Sequence, residues 1–390
     1  MDRDQAIKLV HYLLVQMRQR EASDLIITVG FAPAFKIHGE VTSVTDKALT
    51  AEDAAVIVRS LMNDRQVKEF EATNECQFAI SPAGMGRFRC SAFVQQGHVG
   101  CVLRAIESRI PTFEQLNLPT RLQEVAMHNR GLCLVVGATG SGKTTTLAAM
   151  IGHRNAKSRD HIVTVDDPIE YAHVHRMSVV TQREVGLDTH SWENALKNTL
   201  RQAPNVIQIG EIRTRETMEY ALRFAETGHL VLSTLHANNS NQALARIIDF
   251  FPAEHRPQLL QDLSLNLRAI ISQRLIPKQD GSGRVPAVEI MLVSSLISDL
   301  ISKGDVPGIK EVMHRSAELG MVTFDQSLFE LFEENLIGYE DAIKNADSQN
   351  ELRLRVKLES KRASRNLMDD EFVKGLKVEK KEDSGQIMRR

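Results

Sequence analysis

Apolar residues run along this chain in changing rhythms, and each rhythm predicts an element. In "MDRDQAIKLVHYLLVQMRQR" the residues Ile7, Val10, Leu14 and Met17 recur at helical spacing. Charges interrupt them, so the segment predicts an amphipathic helix and not the apolar stretch of a secretory signal. "DLIITVG" and "APAFKIHGEV" then read as strands around Gly30 and Pro33. "TAEDAAVIVRSLMND" reads as a helix opened by Thr50, with Asp53 three residues on in a capping-box arrangement. "CQFAIS", a turn at "PAGMG", and the β-rich runs "RFRCSAFVQQ" and "HVGCVLRAI" joined through Gln96 and Gly97 complete a small α+β unit over 1–106. Pro111 and Pro119 in a polar setting mark 107–119 as a linker.

From Gly131 the texture changes. The short runs "LCLVV", "HIVTV", "NVIQI" and "HLVLSTL" are apolar on both faces and alternate with helix-length segments. That pattern predicts a parallel sheet buried between helices, an α/β unit over 120–350. Beyond Asn239 the rhythm turns helical, through "NQALARIIDFF", "EHRPQLLQDLSLNLRAIISQRLI" and "SSLISDLISKG". In "LRLRVKL", Leu352, Leu354, Val356 and Leu358 alternate with basic residues, the period of a one-sided strand. The extension over 351–390 is charged, and past Ser360 it has the composition of a disordered tail.

Composition narrows the function. With 48 basic and 50 acidic residues the formal net charge is -2, so no strong field favours nucleic acid or an anionic surface. The four cysteines Cys76, Cys90, Cys101 and Cys133 form no C-x-x-C pair, which predicts reduced, buried thiols and no zinc cluster. No apolar stretch approaches the roughly 20 residues that span a bilayer. A cytoplasmic protein, attached at most peripherally to a membrane, is the expectation.

One stretch carries explicit chemistry. Gly137, Ala138, Thr139, Gly140, Ser141, Gly142, Lys143 and Thr144 match G-x-x-x-x-G-K-[ST] at every fixed position, and Thr145 follows. An apolar strand precedes the loop and "TTTLAAMIGHR", a helix start, follows it. Glycines let backbone N–H groups turn inward, the helix N-terminus adds partial positive charge, and a polyphosphate fits the result. Lys143 would reach the β- and γ-phosphates, and the Thr144 hydroxyl would bind Mg²⁺. Hydrolysis further requires carboxylates. Asp166 ends "HIVTVD" and Glu211 follows "NVIQIG"; strand ends of a parallel sheet line the ligand crevice, so both could converge on the loop to hold metal or order water. The alternative for each, an ordinary strand-end charge, is the weaker reading, more so for Glu211 than for Asp166. His236, ending "HLVLSTLH", reads evenly as a γ-phosphate sensor or a structural group.

Together these residues resemble the secretion-ATPase superfamily of type IV pili and type II secretion, within it the PilT/PilU family of pilus retraction ATPases. The resemblance runs over roughly 1–350 through "ASDLIITVG", "GRFRCSAF", the Gly137–Thr144 loop, "DDPIEY", "IGEIRTRET", "AETGHLVLSTLHANN" and "ISQRLI". It implies an N-terminal PAS-like domain over 1–106 and a RecA-like ATPase domain with a helical C-terminal subdomain, assembled as a homohexamer. It places Asp166 in an aspartate box, Glu211 in a Walker B segment as a metal-site and catalytic residue, and His229 and His236 in a histidine box. It also implies that Arg89 and Arg104 reach from the N-terminal domain toward nucleotide, as arginine fingers do.

The implied function is ATP-Mg²⁺-driven pilus retraction, at the cytoplasmic side of the inner membrane at the pilus base. The implied partners are a platform protein and a second retraction ATPase. Three features depart from the family pattern: Asp166 stands where Glu is usual, "LISDLISK" replaces a more charged C-terminal motif, and the charged tail extends the chain. They favour the accessory branch of the family, and they keep open a second role as a weakly hydrolysing structural partner. A RecA-like nucleic-acid motor is the other alternative; near-neutral charge and 5% aromatics disfavour it.

Overall fold

The protein is described from a computed structural model, which covers residues 1–37 and 39–362. Helix α1 (Arg3–Gln19) opens the chain on a reciprocal cap between Asp2 and Gln5 and buries Val10, Leu13, Leu14 and Met17 on one face. Strands β1 (Asp24–Ile27), β2 (Ala34–Ile37) and β3 (Glu40–Ser43) precede helices α2 (Ala51–Ser60) and α3 (Asp64–Thr73), and β4 (Glu75–Ile80), β5 (Phe88–Gln95) and β6 (His98–Ala105) follow. Thr50 does cap α2 by accepting from the Asp53 amide. The return arm of the expected box is absent, because the Asp53 carboxylate accepts from the Thr50 hydroxyl instead. The six strands form one antiparallel sheet in the order β3-β2-β1-β6-β5-β4, and Gln96 and Gly97, both at positive φ, turn β5 into β6.

The second sheet is assembled from β7 (Gly131–Val136), β8 (His161–Asp166), β9 (Val179–Glu184), β10 (Val206–Ile209), β11 (Leu230–Leu235), β12 (Leu267–Pro277) and β13 (Arg284–Leu292). Their order is β13-β12-β7-β11-β10-β8-β9, parallel except for β13. Helices α4 (Arg121–Ala126), α5 (Lys143–Lys157), α6 (Trp192–Thr199), α7 (Arg215–Glu226), α8 (Ser240–Asp249) and α9 (Arg256–Asn266) surround it. Every residue of β7, β10 and β11 is buried, the signature of a sheet covered on both faces. Phe113 and Leu118, from the stretch between the two sheets, are buried in the same core as β7 and α5.

Two expectations are corrected here. The helix expected to run through "NLRAIISQRLI" ends at Asn266, and the rest is strand β12 beside β7. A run buried on both faces has no amphipathic period to separate helix from strand, and the β-branched pair Ile270 and Ile271 suits the open slot next to β7. "LRLRVKL", expected as a strand, lies in helix α14 (Gln349–Glu359), which follows α10 (Ser295–Lys303), α11 (Val306–Arg315), α12 (Phe324–Glu333) and α13 (Tyr339–Asn345). Leu352 and Val356, four apart, are buried, while Leu354 and Leu358 are exposed. Positions i and i+4 share a face in both periods, so the alternation disguised a helix that packs on α12 and α13. Of the disordered tail expected after Ser360, Lys361 and Arg362 are held instead, by Glu333 and by the Phe332 and Ile337 carbonyls, and 363–390 lies outside the described residues.

Candidate functional site

The glycine-rich loop joins the end of β7 to the start of α5, and its shape depends on two glycines. Gly137 and Gly142 have φ of 158° and 87°, and a Cβ on either would come within 3.0 Å of Gln273. The loop rims a cavity of about 550 Å³. Thr139, Gly140, Gly142, Lys143, Thr144 and Thr145 form one wall; Asp166, Asp167 and Glu170 from the end of β8, Glu211 and Arg213 after β10, and His236 after β11 form the other. The parallel sheet thus brings the strand-end carboxylates together with the loop, as its topology requires. Gly137, Ala138 and Ser141 complete the loop behind that wall.

Lys143 is folded back, its ammonium donating to the carbonyls of Gly137 (3.0 Å) and Ala138 (2.9 Å). Burial holds its pKa below the usual lysine range, against the pull of Glu211 and Glu170. The Ser141 hydroxyl is buried without a partner. An ammonium parked on carbonyls and an orphaned hydroxyl in a glycine cradle suit an anion with several oxygens. The Thr144 hydroxyl, Asp166 and Glu211 line the same cavity with oxygen atoms, the donor type that suits Mg²⁺, although among the described residues no three His, Cys, Asp or Glu side chains cluster as a metal site by themselves.

Asp166 is buried and held at both oxygens. Thr164 Oγ1 donates to Oδ2 (3.0 Å) and Gln208 Nε2 to Oδ1 (2.7 Å). Desolvation outweighs those bonds and pushes its pKa up to about 7, with Glu170 and Glu184 adding to the rise. Gly210 leaves room for it, since a Cβ there would stand 2.8 Å from Oδ1.

Glu211 is engaged differently. Arg213 Nε donates to Oε2 at 2.8 Å, and His236 Nε2 lies 2.9 Å from Oε1, an ion-pair approach without hydrogen-bond geometry. His236 therefore faces the carboxylate directly. His229 sits at the other end of β11, with Nδ1 at 3.1 Å from the Phe224 carbonyl, and does not line the cavity.

Arg89 and Arg104 are cross-strand partners on β5 and β6. Arg89 donates to Gln77 (3.0 Å) and Arg104 to Asp24 (2.7 Å), and neither lines the cavity of its own chain.

Several cavity groups escaped the sequence reading. Arg213 had a local signal, two residues beyond Glu211. Glu170 lines the cavity from inside "DDPIEY"; its neighbour Tyr171 does not line it, but its hydroxyl is 3.0 Å from Thr145 Oγ1. Trp192, Leu275 and Arg284 line the cavity from distant parts of the chain and had no local signal.

Comparison with known proteins identifies the family. A family model described as Type II/IV secretion system protein matches residues 2–319. The chain belongs to that family. It is 54% identical over 367 residues to the Type IV pilus ATPase PilU of Pseudomonas aeruginosa, covering 94% of this chain and 96% of the relative. To the type IV pilus retraction ATPase PilT of the same organism it is 39% identical over 334 residues, covering 86% and 97%. Among solved structures it resembles the pilus retraction motor PilT with bound ADP, at a TM-score of 0.82 and 40% identity over 88% of this chain and 98% of that one. The chain is a member of the PilT/PilU group of type IV pilus ATPases, and its α/β fold is theirs, as the motifs implied. Among the described residues no helix is long and apolar enough to cross a membrane.

Proposed function

We propose that the chain binds ATP-Mg²⁺ in this cavity and hydrolyses it to drive type IV pilus retraction, as one subunit of a homohexamer. The observation that carries the reading is the meeting of Lys143, Asp166, Glu211 and His236 around one phosphate-shaped loop. Lys143 leaves the Gly137 and Ala138 carbonyls for the β- and γ-phosphates. Backbone amides from Gly140 to Thr144, at the N-terminus of α5, hold the remaining oxygens. Thr144, with Glu211 across the cavity, would hold Mg²⁺, which neutralises charge on the β- and γ-phosphate oxygens.

Asp166, when ionised, orients the attacking water and accepts its proton as oxygen bonds to the γ-phosphorus and the bond to ADP breaks; the products are ADP, phosphate and a proton. Glu211, gripped by Arg213 and His236, is positioned to exchange those partners for water or metal as Arg213 and His236 turn to the γ-phosphate, which makes it the group that registers occupancy. Arg89 and Arg104 act on the cavity of a neighbouring subunit, a reading supported by their absence from the lining of their own.

The unit boundaries belong to the same reading: a PAS-like unit over 1–106, a linker over 107–119, an ATPase unit over 120–350, and the extension over 351–390, from which α14 packs onto α12 and α13. The same reading puts such a ring at the pilus base, at the inner face of the inner membrane, against a platform protein and beside a second retraction ATPase; it is supported by the likeness to type IV pilus ATPases.

The test is the hydrolysis rate of purified protein with and without Lys143→Ala, together with the mass of the particle formed with ATP. Turnover that Lys143→Ala removes, in a six-subunit particle, supports the motor; equal rates in the two proteins overturn it. The raised pKa of Asp166 and its short side chain favour a second reading, a ring that binds ATP tightly, turns it over slowly and reinforces a partner ATPase. A rate that rises only when the partner is added would select it. Strong stimulation by single-stranded DNA would point instead to a nucleic-acid motor.

A further inference from the structure

The loop that rims the cavity is braced from behind by Gln273, a residue inside "ISQRLI" for which the motif by itself suggests no role. Gln273 lies on β12, one position past Ser272, which pairs with Val136 at the last position of β7 before the loop. It is 3% exposed and does not line the cavity. Its Oε1 accepts a hydrogen bond of 2.7 Å from Thr146 Oγ1 in the first turn of α5. Its Nε2 stands 2.8 Å from where a Cβ at Gly142 would be, and its carbonyl oxygen 2.6 Å from where one at Gly137 would be. One residue thus touches both glycines that bound the loop and the helix that receives it.

The backbone that carries Gln273 is itself anchored. Side chains alternate across a strand, and the next residue, Arg274, points away into the C-terminal helices. Its guanidinium pairs with Asp347 at 2.7 Å, donates to the carbonyls of Asn345 and Asn238, and lies 3.9 Å from the ring centroid of Phe324. Asp347 also takes Lys310 at 2.7 Å.

We propose that Gln273 is a positioning residue for nucleotide: it holds the first turn of α5 and the glycines of the loop so that the amides and Lys143 meet the phosphates without rearrangement. This rests on the reading of the cavity as an ATP site. Without the amide, Thr146 loses its acceptor and the loop gains room against β12, so the phosphate-binding amides must be ordered by the ligand. Affinity for phosphates falls, while the reacting carboxylates, on other strands, keep their places.

The experiment uses Gln273→Met, which preserves length and volume while removing both polar atoms, and Thr146→Val, which removes the bond from the other side. Binding of a non-hydrolysable ATP analogue with Mg²⁺ is titrated, and KM and kcat for ATP are measured. Each variant should weaken analogue binding and raise KM by about 10-fold, with kcat within about three-fold, as expected for loss of one buried hydrogen bond and of loop order. The double variant should cost little more than either single one, because both remove the same contact. The melting temperature of the nucleotide-free protein gives the control. A purely structural role predicts lower melting temperatures with unchanged Kd and KM, and that result, or additive losses in the double variant, would overturn the proposal. Wild-type protein that fails to bind the analogue would instead overturn the ATP reading, and this proposal with it.

Discussion

The two sheets of this protein carry charge in opposite ways. In the seven-stranded sheet the middle strands β7, β10 and β11 are wholly buried, and the ionisable groups of interest stand at or just past the strand ends, where they converge on one cavity. In the six-stranded sheet Arg89 and Arg104 sit within the strands, on a face open enough to leave the Arg104 side chain 64% exposed. Strands buried on both faces, such as β7, β10 and β11, have room for charge only where they stop, so the end of such a strand is a strong pointer to a site. An open antiparallel face accepts charge anywhere, and a charged residue there says little until a partner surface is known.

Glu211→Gln gives the largest effect by which the first half of that contrast can be broken. Steady-state assays should find kcat lower by about 10³-fold, within the range for loss of a positioned acid–base or metal-site carboxylate. Nucleotide Kd should move less than about three-fold, because the loop and Lys143 are untouched. Turnover near wild type would show that a carboxylate at this strand end is an ordinary charge.

The second half is sharpened by Arg104→Ala. Turnover should fall by about 10²-fold, less than the roughly 10³ to 10⁵ a lone arginine finger supplies, because Arg89 remains beside it. Mixing Arg104→Ala subunits with Lys143→Ala subunits should restore part of the rate, since an intact cavity can then face an intact arginine. Mixed particles as inactive as their parents would place the arginine's action within its own chain, or nowhere in turnover.

Asp166 yields a smaller, graded effect. Desolvation raises its carboxyl from 3.8 to about 7, so turnover that uses the ionised form should fall about ten-fold per pH unit below that value. The same shift fixes a sign for stability. The folded state keeps a proton that the unfolded chain releases between pH 3.8 and about 7, so this group's contribution declines as pH rises through that window. Asp166→Asn should therefore raise Tm at pH 8, leave it nearly unchanged at about pH 4, and remove turnover. A flat rate profile between about pH 5 and pH 8 in the wild type would refute the assignment.

The least functional effect belongs to α14. Leu352, 1% exposed against α12 and α13, should cost about 2 to 3 kcal/mol of stability as Leu352→Ala, while nucleotide affinity stays unchanged. Denaturant unfolding checks it, and a loss under about 0.5 kcal/mol would mean that α14 contributes nothing to the folded unit.

Local regularity decided what could be read from residues alone. The loop from Gly137 to Thr144, the strands ending at Asp166, Glu211 and His236, and the hairpin at Gln96 and Gly97 are all specified within a few residues of themselves, by turn chemistry or by continuous apolar runs. Where two periods share positions, local pattern was ambiguous: Leu352 and Val356 fit a strand and a helix alike, and "LRAIIS" fits a buried element of either kind.

The sequence by itself determined the phosphate loop, the buried sheet and the candidate carboxylates, because each follows from residues adjacent along the chain. Only the tertiary structure decided that Gln273 would stand behind the loop, that His236 would meet Glu211, and that Arg89 and Arg104 would pair with Gln77 and Asp24 and not line their own cavity. Those contacts join residues far apart in the chain, and their geometry exists only after the sheet has closed and the helices have packed upon it.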